Sequence, residues 1–177
     1  MYADLLILVA IREHPRHGYE IKKVLEQSMQ GAFPLVNSVL YPALRRLEEM
    51  GALQREVVHQ EGKPDRHIYT RTDRSEEILH SLLCDFPAEV ASNDTEFRVR
   101  TAFFDLLEPE ERITILETRA STLRKQISKH IALAQSQQLI RDQPLPFIQR
   151  MLSFYQQQVQ EELYWIETLL QEQRQLL

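Results

Sequence analysis

Apolar and polar positions follow a helical period through the N-terminal part of the chain. A run of consecutive apolar residues from Leu5 to Ile11 predicts a buried helix over residues 3–13 that stops near Pro15. A second amphipathic helix is predicted over residues 19–29. Together with the third segment, described next, these make three short helices at the start of the chain.

The third segment, "NSVLYPALRRLEEMG", predicts a helix over residues 38–50 that is closed by Gly51 at a C-cap position. Its apolar residues follow the i, i+3, i+4, i+7 spacing that places side chains on one helical face; they are Leu40, Ala43, Leu44 and Leu47. If Ser38 is the N-cap, Pro42 lies at the edge of the first turn and removes at most one helical hydrogen bond. The opposite face carries hydroxyl and guanidinium groups, which indicates a surface for a partner.

Two segments rich in β-branched and aromatic residues follow, "LQREVVHQ" and "RHIYTRT", and the Gly and Pro of "EGKPD" lie between them. This pattern predicts a β-hairpin. Thr72 and Asp73 are then candidate N-caps of a further helix.

The C-terminal half predicts a short helix and then two long ones. Pro109 and the acidic residues after it are typical of a helix start, and "RDQPLP" interrupts the near-heptad pattern before it resumes to the C-terminus. Each long helix would extend about 45 Å, too far for a small core to cover, so both need partners. We expect the partner contacts at Leu116, Leu123, Ile127, Val159, Leu163, Ile166 and Leu170, which the family resemblance given below assigns to dimerisation.

Composition narrows the function classes. The 177 residues are 43% hydrophobic, as in soluble globular proteins, and the four glycines are too scattered for a phosphate-binding loop. A net charge of −5 argues against a nucleic-acid partner, although phosphate binding needs only a local basic patch. The lone Cys84 fits a reducing cytoplasm, and the N-terminal apolar run is too short to span a bilayer and lacks the basic start of a signal peptide.

Three helices followed by a hairpin are the order of a winged helix-turn-helix. The segments "ILVAIREHPRHGYEIKKVLEQ", "SVLYPALRRLEEMGAL" and "GKPDRHIYTRT" resemble the PadR family of transcriptional regulators, and "LYPALRRLEEMG" and "HGYEIKK" are the most specific of them. The resemblance implies a mainly α fold with a DNA-binding domain at residues 1–83, a linker and short helix at 84–108, and long antiparallel helices that form a dimer at 109–177.

The resemblance also implies a function, that of a homodimeric regulator, expected to be a repressor, which binds a pseudo-palindromic operator and is released by a small flat aromatic effector. The third helix would be the recognition helix in the major groove. We expect the DNA contacts at Ser38, Tyr41, Pro42, Arg45 and Arg46, at Lys63 and Arg66 of the wing, and at Lys22 and Lys23.

Each of these residues has a plainer interpretation. Arg45 and Arg46 are able to pair with Glu48 or Glu49 as ordinary surface charges, and Lys63 and Arg66 are able to remain solvated on their loop. Trp165 is either a residue of the dimer core or a wall of an effector pocket.

No cofactor or metal site is expected, and the sequence contains no spacing typical of a catalytic triad. His14 and His17 form an H-x-x-H pair, but no further ligands lie nearby in sequence to complete a zinc site. The alternative functions are a coiled-coil protein-interaction module that uses the winged helix for protein contacts and, less favoured, a metal hydrolase.

Overall fold

The computed structural model of the chain describes residues 2–59, 66–138 and 146–177. It is mainly α-helical with a small antiparallel sheet, as the sequence predicts. The helices are α1 Tyr2–Ala10, α2 Gly18–Ser28, α3 Asn37–Glu49, α4 Ser75–Cys84, α5 Ala88–Ala91, α6 Asp94–Thr101, α7 Pro109–Gln138 and α8 Pro146–Arg174, with a 3₁₀ turn at Phe104–Leu106. The strands are β1 Arg16–His17, β2 Leu53–Val58 and β3 Arg66–Arg71.

The chain divides into two compact units. The first contains Met1–Asp85 and Asp94–Leu106, and the second contains Phe86–Asn93 and Leu107–Leu177. The segment 84–108, predicted as a linker with a short helix, is thus shared between the units: α6 belongs to the first and α5 to the second.

Helix α1 is the centre of the first unit. It packs against α2, α3, α4 and α6, and seven of its nine residues are buried. On α3 the buried residues are the four that the helical spacing predicted, Leu40, Ala43, Leu44 and Leu47. The i, i+3, i+4, i+7 pattern therefore identified the core face of α3 correctly.

The predicted hairpin is confirmed, and β2 pairs with β3 from Leu53 opposite Arg71 to Val58 opposite Arg66. The sheet also has a third strand that the sequence did not predict. Arg16 and His17 of β1 pair with Tyr69 and Ile68, so β3 is central. Two residues are too few to show the period-2 alternation by which a strand is recognised.

The predicted N-terminus of the third helix was wrong. The N-cap is Val36, without a side-chain cap, and Ser38 is the second helical residue. The backbone N–H groups of Val39 and Leu40 both donate to the Val36 carbonyl, at 2.9 Å each. Pro42 consequently lies in the second turn, where its missing N–H costs a real intrahelical bond to the Ser38 carbonyl.

The predicted caps of α4 were also wrong, since Arg74 occupies the N-cap position. Thr72 acts one step earlier: its hydroxyl donates to the Gly51 carbonyl at 2.7 Å and accepts from the Arg74 N–H at 3.2 Å. Thr72 thereby ties the start of α4 to the end of α3, which a local capping rule does not anticipate.

The second unit is built on α7 and α8, which run antiparallel and pack along their length. Ion pairs bridge the two helices between Arg119 and Glu162 at 2.6 Å and between Arg124 and Glu167 at 2.8 Å. Arg119 is 1% exposed and also donates to the Ala91 carbonyl at 2.6 Å, so it fixes α5 onto the helical pair.

Most of the predicted dimerisation residues are buried within this single chain. Ile127 and Leu163 are half-buried, and the fully buried members are Leu116, Leu123, Val159, Ile166 and Leu170. Their burial is supplied by the chain's own second unit, so a second copy is not needed to cover them.

None of the helices in the described ranges is both long enough and apolar enough to cross a membrane.

Candidate nucleic-acid interface

The outer face of α3 is exposed and polar because its opposite face is committed to the core. Successive residues of a helix are separated by about 100° around its axis. Ser38, Arg45 and Glu49 therefore lie opposite the buried residues, with Tyr41 and Pro42 beside them. All five are exposed, and four of them, Ser38, Tyr41, Pro42 and Arg45, were predicted from the sequence as DNA contacts.

Tyr41 is held at this surface by a close approach between two helices. Its side chain is 51% exposed, yet its ring lies beside Gly18, where a Cβ atom would be 3.4 Å from Tyr41 Cε1. Gly18 begins α2, and its lack of a side chain lets the ring rest on that helix end. The phenol thus has a defined position while its outer edge stays accessible.

Arg45 and Arg46 are adjacent in sequence but differ in their surroundings. Arg45 is exposed and makes no ion pair or hydrogen bond with the residues the structure describes. Arg46 forms a bidentate pair with Asp4 of α1: its Nη2 lies 2.7 Å from Oδ1 and 2.8 Å from Oδ2. Arg45 is therefore free to meet a partner, whereas Arg46 is already engaged.

A concave surface lies between α3 and the hairpin. It is lined by Tyr41, Arg45, Glu48, Glu49, Arg55, His67 and Tyr69. Arg55 of β2 pairs with Glu48 at 3.3 Å across this surface. Burial raises the pKa of the Tyr69 phenol, the nearby Arg55 opposing it, so Tyr69 stays neutral at physiological pH.

The other residues predicted to contact phosphates differ in their exposure and in their ion pairs. Lys23 and Arg66 are exposed, and Arg66 is the first residue of β3. Lys22 is half-buried and pairs with Glu26 at 3.7 Å. Lys63 lies outside the described residues.

The two histidines of the H-x-x-H pair, His14 and His17, have different surroundings. His14 is exposed, while His17 joins β1 to β3 through its Nδ1, 3.1 Å from the His67 carbonyl oxygen. The His17 backbone N–H also donates to Glu20 Oε2 at 2.9 Å. His17 therefore has a structural role at the start of α2.

In the second unit, the exposed side chains of α8 are unusually apolar. Trp165 is 43% exposed, so one chain alone does not bury it in a core. The first part of α8 exposes six large apolar side chains, Phe147, Ile148, Met151, Leu152, Phe154 and Tyr155. The predicted dimerisation residues lie elsewhere, on α7 and on the C-terminal part of α8.

Sequence analysis also missed the buried charged residues. Arg100 is fully buried and donates to the carbonyls of Leu82, Leu83 and Asp85 at the end of α4, and to Glu96 Oε2 at 2.6 Å. Asp4 and Arg119 are each 1% exposed. Asp4 was detectable as the single carboxylate within the apolar N-terminal helix, because such a group requires a partner when it is buried.

Comparison with known proteins gives a family match for the N-terminal part of the chain. Residues 7–81 match the family model described as "Transcriptional regulator PadR-like family". The chain is similar to the Negative transcriptional regulator PadR of Bacillus subtilis, with 22% identity over 122 residues, which are 69% of this chain and 67% of that protein.

Two solved structures are also similar. The B. subtilis PadR structure in complex with operator DNA has 19% identity and a TM-score of 0.43, covering 96% of this chain and 98% of that one. A PadR family regulator from Eggerthella lenta has 33% identity and a TM-score of 0.39, covering 45% of this chain and 66% of that one.

Proposed function

Through residues 7–81 this chain belongs to the PadR-like family of transcriptional regulators, and we propose that it binds a specific operator duplex through α3. The proposal makes α3 the recognition helix, with Arg45 and Ser38 at base edges and Tyr41 beside them. Arg66, Lys23 and Lys63 are assigned to phosphates, which fix the register on the duplex without carrying sequence information.

One observation carries this proposal: on the face opposite its buried residues, α3 presents a phenol held in place and a guanidinium that makes no ion pair or hydrogen bond with the described residues. A helix of this kind fits the major groove, where arginine contacts guanine O6 and N7 in a bidentate manner. The concave surface between α3 and the hairpin leaves room for a backbone beside the helix.

We propose that the regulator works as a homodimer and that the exposed apolar side of α8 forms the subunit contact. Met151 is 56% exposed, and Phe147 and Phe154 lie about one turn before and after it on the same side of the helix. Contiguous apolar surface of this kind marks an interaction site. A two-fold dimer would present two recognition helices to a pseudo-palindromic operator.

We propose repression as the regulatory outcome, because the similar B. subtilis protein is named a negative transcriptional regulator. Release by a small flat aromatic ligand is the proposed control, with Trp165 as part of its site. The half-exposed indole next to the exposed Tyr164 offers aromatic surface for such a ligand. The protein is proposed to act in the cytoplasm, where its DNA would lie.

The test is a selection of bound duplexes from a random pool by the full-length protein. We expect an enriched sequence with two-fold symmetry and a binding constant that falls steeply with salt. Recovery of a pool with no enriched sequence would reject operator recognition.

For the effector, any compound that quenches Trp165 fluorescence is expected to bind more weakly once operator is added, since coupling between two sites is reciprocal. Quenching that is indifferent to operator would remove Trp165 from regulation.

A further inference from the structure

Recognition helix α3 is held by an ion pair on each flank. Arg46 and Glu48 are separated by about 200° around the helix, so they lie on opposite sides of its buried face. Arg46 pairs with Asp4 of α1, and Glu48 pairs with Arg55 of β2. The two pairs connect the helix to different neighbours and oppose its rotation about its own axis.

The two flanking pairs differ in strength. The side chains of Glu48 and Arg55 are 33% and 44% exposed, and their single contact is 3.3 Å long. The Asp4 side chain is only 2% exposed, and it receives three hydrogen bonds from Arg46, two from Nη2 and one from Nε at 3.2 Å. Charge-assisted bidentate bonds to a buried carboxylate are strong and directional, so the Asp4 pair dominates.

We infer that Asp4 and Arg46 form a positioning pair that sets the rotation of α3, and that Arg46 acts on DNA recognition through this pair and not by a base contact. The inference rests on the proposed function. A rotation of α3 would move Arg45 and Ser38 together, and a bidentate base contact tolerates little displacement. The pair would then control specificity from the side of the helix that faces the protein core.

The geometry distinguishes this role from that of a phosphate contact. Half of the Arg46 stem is open to solvent, with the side chain 45% exposed, but its Nε and Nη2 point to Asp4. To reach a phosphate with these groups, Arg46 would have to give up three hydrogen bonds to a buried carboxylate, which is costly. Arg45, one residue earlier, has no such constraint.

The experiment compares Asp4→Asn, Arg46→Gln and the double variant in the full-length protein, with Glu76→Gln as the control. Glu76 makes exposed ion pairs with Arg12 and Arg71, which belong to the same unit and are not residues of α3. Affinity is measured for the selected operator and for random duplex over a range of salt concentrations, below the unfolding midpoint of each variant.

We expect each single variant to lose about tenfold or more in operator affinity, while affinity for random duplex and the salt slope stay at the parental values. The double variant is expected to regain affinity to within about threefold of the parent. Asparagine and glutamine are both neutral and are able to hydrogen-bond to each other at the same position. Glu76→Gln is expected to bind as the parent does.

Two results would overturn the positioning role. One is an Asp4→Asn protein with parental operator affinity. The other is a double variant whose affinity stays low with a salt slope shallower by about one unit, which would make Arg46 a phosphate contact. If Arg46→Gln fails to fold, the Asp4→Asn and double variants still decide the question. A parent protein that selects no sequence would reject both the proposed function and this inference, whereas the two results above reject the inference alone.

Discussion

Helices α3 and α8 are both amphipathic, but they leave opposite kinds of surface exposed. Helix α3 buries its four apolar core residues and exposes hydroxyl, guanidinium and carboxylate groups. Of the described residues of α8, only Val159, Ile166 and Leu170 are buried, while Phe147, Met151 and Phe154 are open. Within one chain, the apolar face of α3 is buried, whereas many of the apolar side chains of α8 stay exposed.

The difference indicates the chemistry of each helix's partner. A polar exposed face that carries an available arginine matches base edges, whereas an aromatic and thioether face matches another apolar surface. Obligate subunit interfaces resemble a protein core divided in two, and the first part of α8 has that composition. Substitutions that exchange the properties of these two faces are therefore the sharpest tests of the proposed function.

The largest effect is expected from Met151→Glu, which places a charge in the proposed subunit contact. The variant should sediment as a monomer and lose roughly 100-fold or more in operator affinity, since the second half-site would no longer bind as part of the same molecule. Its helical content should be unchanged because Met151 is exposed in the single chain. Gln160→Glu, an exposed position on the opposite side of α8, is the matched control.

A monomeric Met151→Glu protein with parental operator affinity would contradict bivalent binding. Ile166→Glu provides the contrast, because Ile166 is fully buried within the chain. That substitution should destabilise the helical pair itself and lower its melting temperature, whether or not a dimer forms.

Arg45→Ala is expected to have the next largest effect. Removing a bidentate contact to guanine should cost about 1–3 kcal/mol on the operator and relax the preference at one position of each half-site. Competition with duplexes substituted at single positions would measure this. Equal losses on operator and random duplex would reduce Arg45 to a phosphate contact.

Arg66→Ala should have a smaller and more uniform effect. Loss of one phosphate contact should weaken binding to all duplexes alike and make the plot of log affinity against log salt shallower by about 0.9. Lys23→Ala should behave in the same way because Lys23 is exposed as well. A salt slope that does not change would place either residue outside the footprint.

The smallest effect on operator affinity is expected from Glu96, which contributes to the stability of the first unit at neutral pH and loses this contribution in acid. Burial acts to raise the pKa of Glu96, but the hydrogen bonds from Arg100 and from the Tyr2 backbone N–H prevail and hold it below its ordinary value of 4.5. A carboxyl with a lowered folded-state pKa contributes stability above its unfolded pKa, and this contribution disappears as pH falls through the folded value.

Thermal unfolding between pH 7 and pH 2 would therefore show part of the acid destabilisation of the first unit arising from Glu96. In Glu96→Gln the stability of this unit should depend less on pH in the acid range. An identical acid dependence in parent and variant would assign that loss to other carboxyl groups.

Sequence periodicity predicted the core of α3 and the hairpin because each produces a pattern among residues that are close in sequence. It did not predict the Asp4–Arg46 pair, since the partners are 42 positions apart and no local pattern links them. For the same reason it did not separate Arg45 from Arg46. The heptad pattern correctly marked Leu116 and Ile166 as buried, but a pattern within one helix does not say whether the covering surface belongs to the same chain or to another.

Pro42 gives α3 an internal division. Because Pro42 has no N–H and lies in the second turn, the turn that carries Ser38 is joined to the rest of the helix by one hydrogen bond fewer. The later turns are fixed by core packing and by the Asp4 pair. Local opening should therefore begin at the first turn, whose amide hydrogens would exchange with solvent sooner than those after Pro42. If α3 binds a duplex as proposed, the turn before Pro42 is then the part of the helix whose backbone is best able to adjust to the groove.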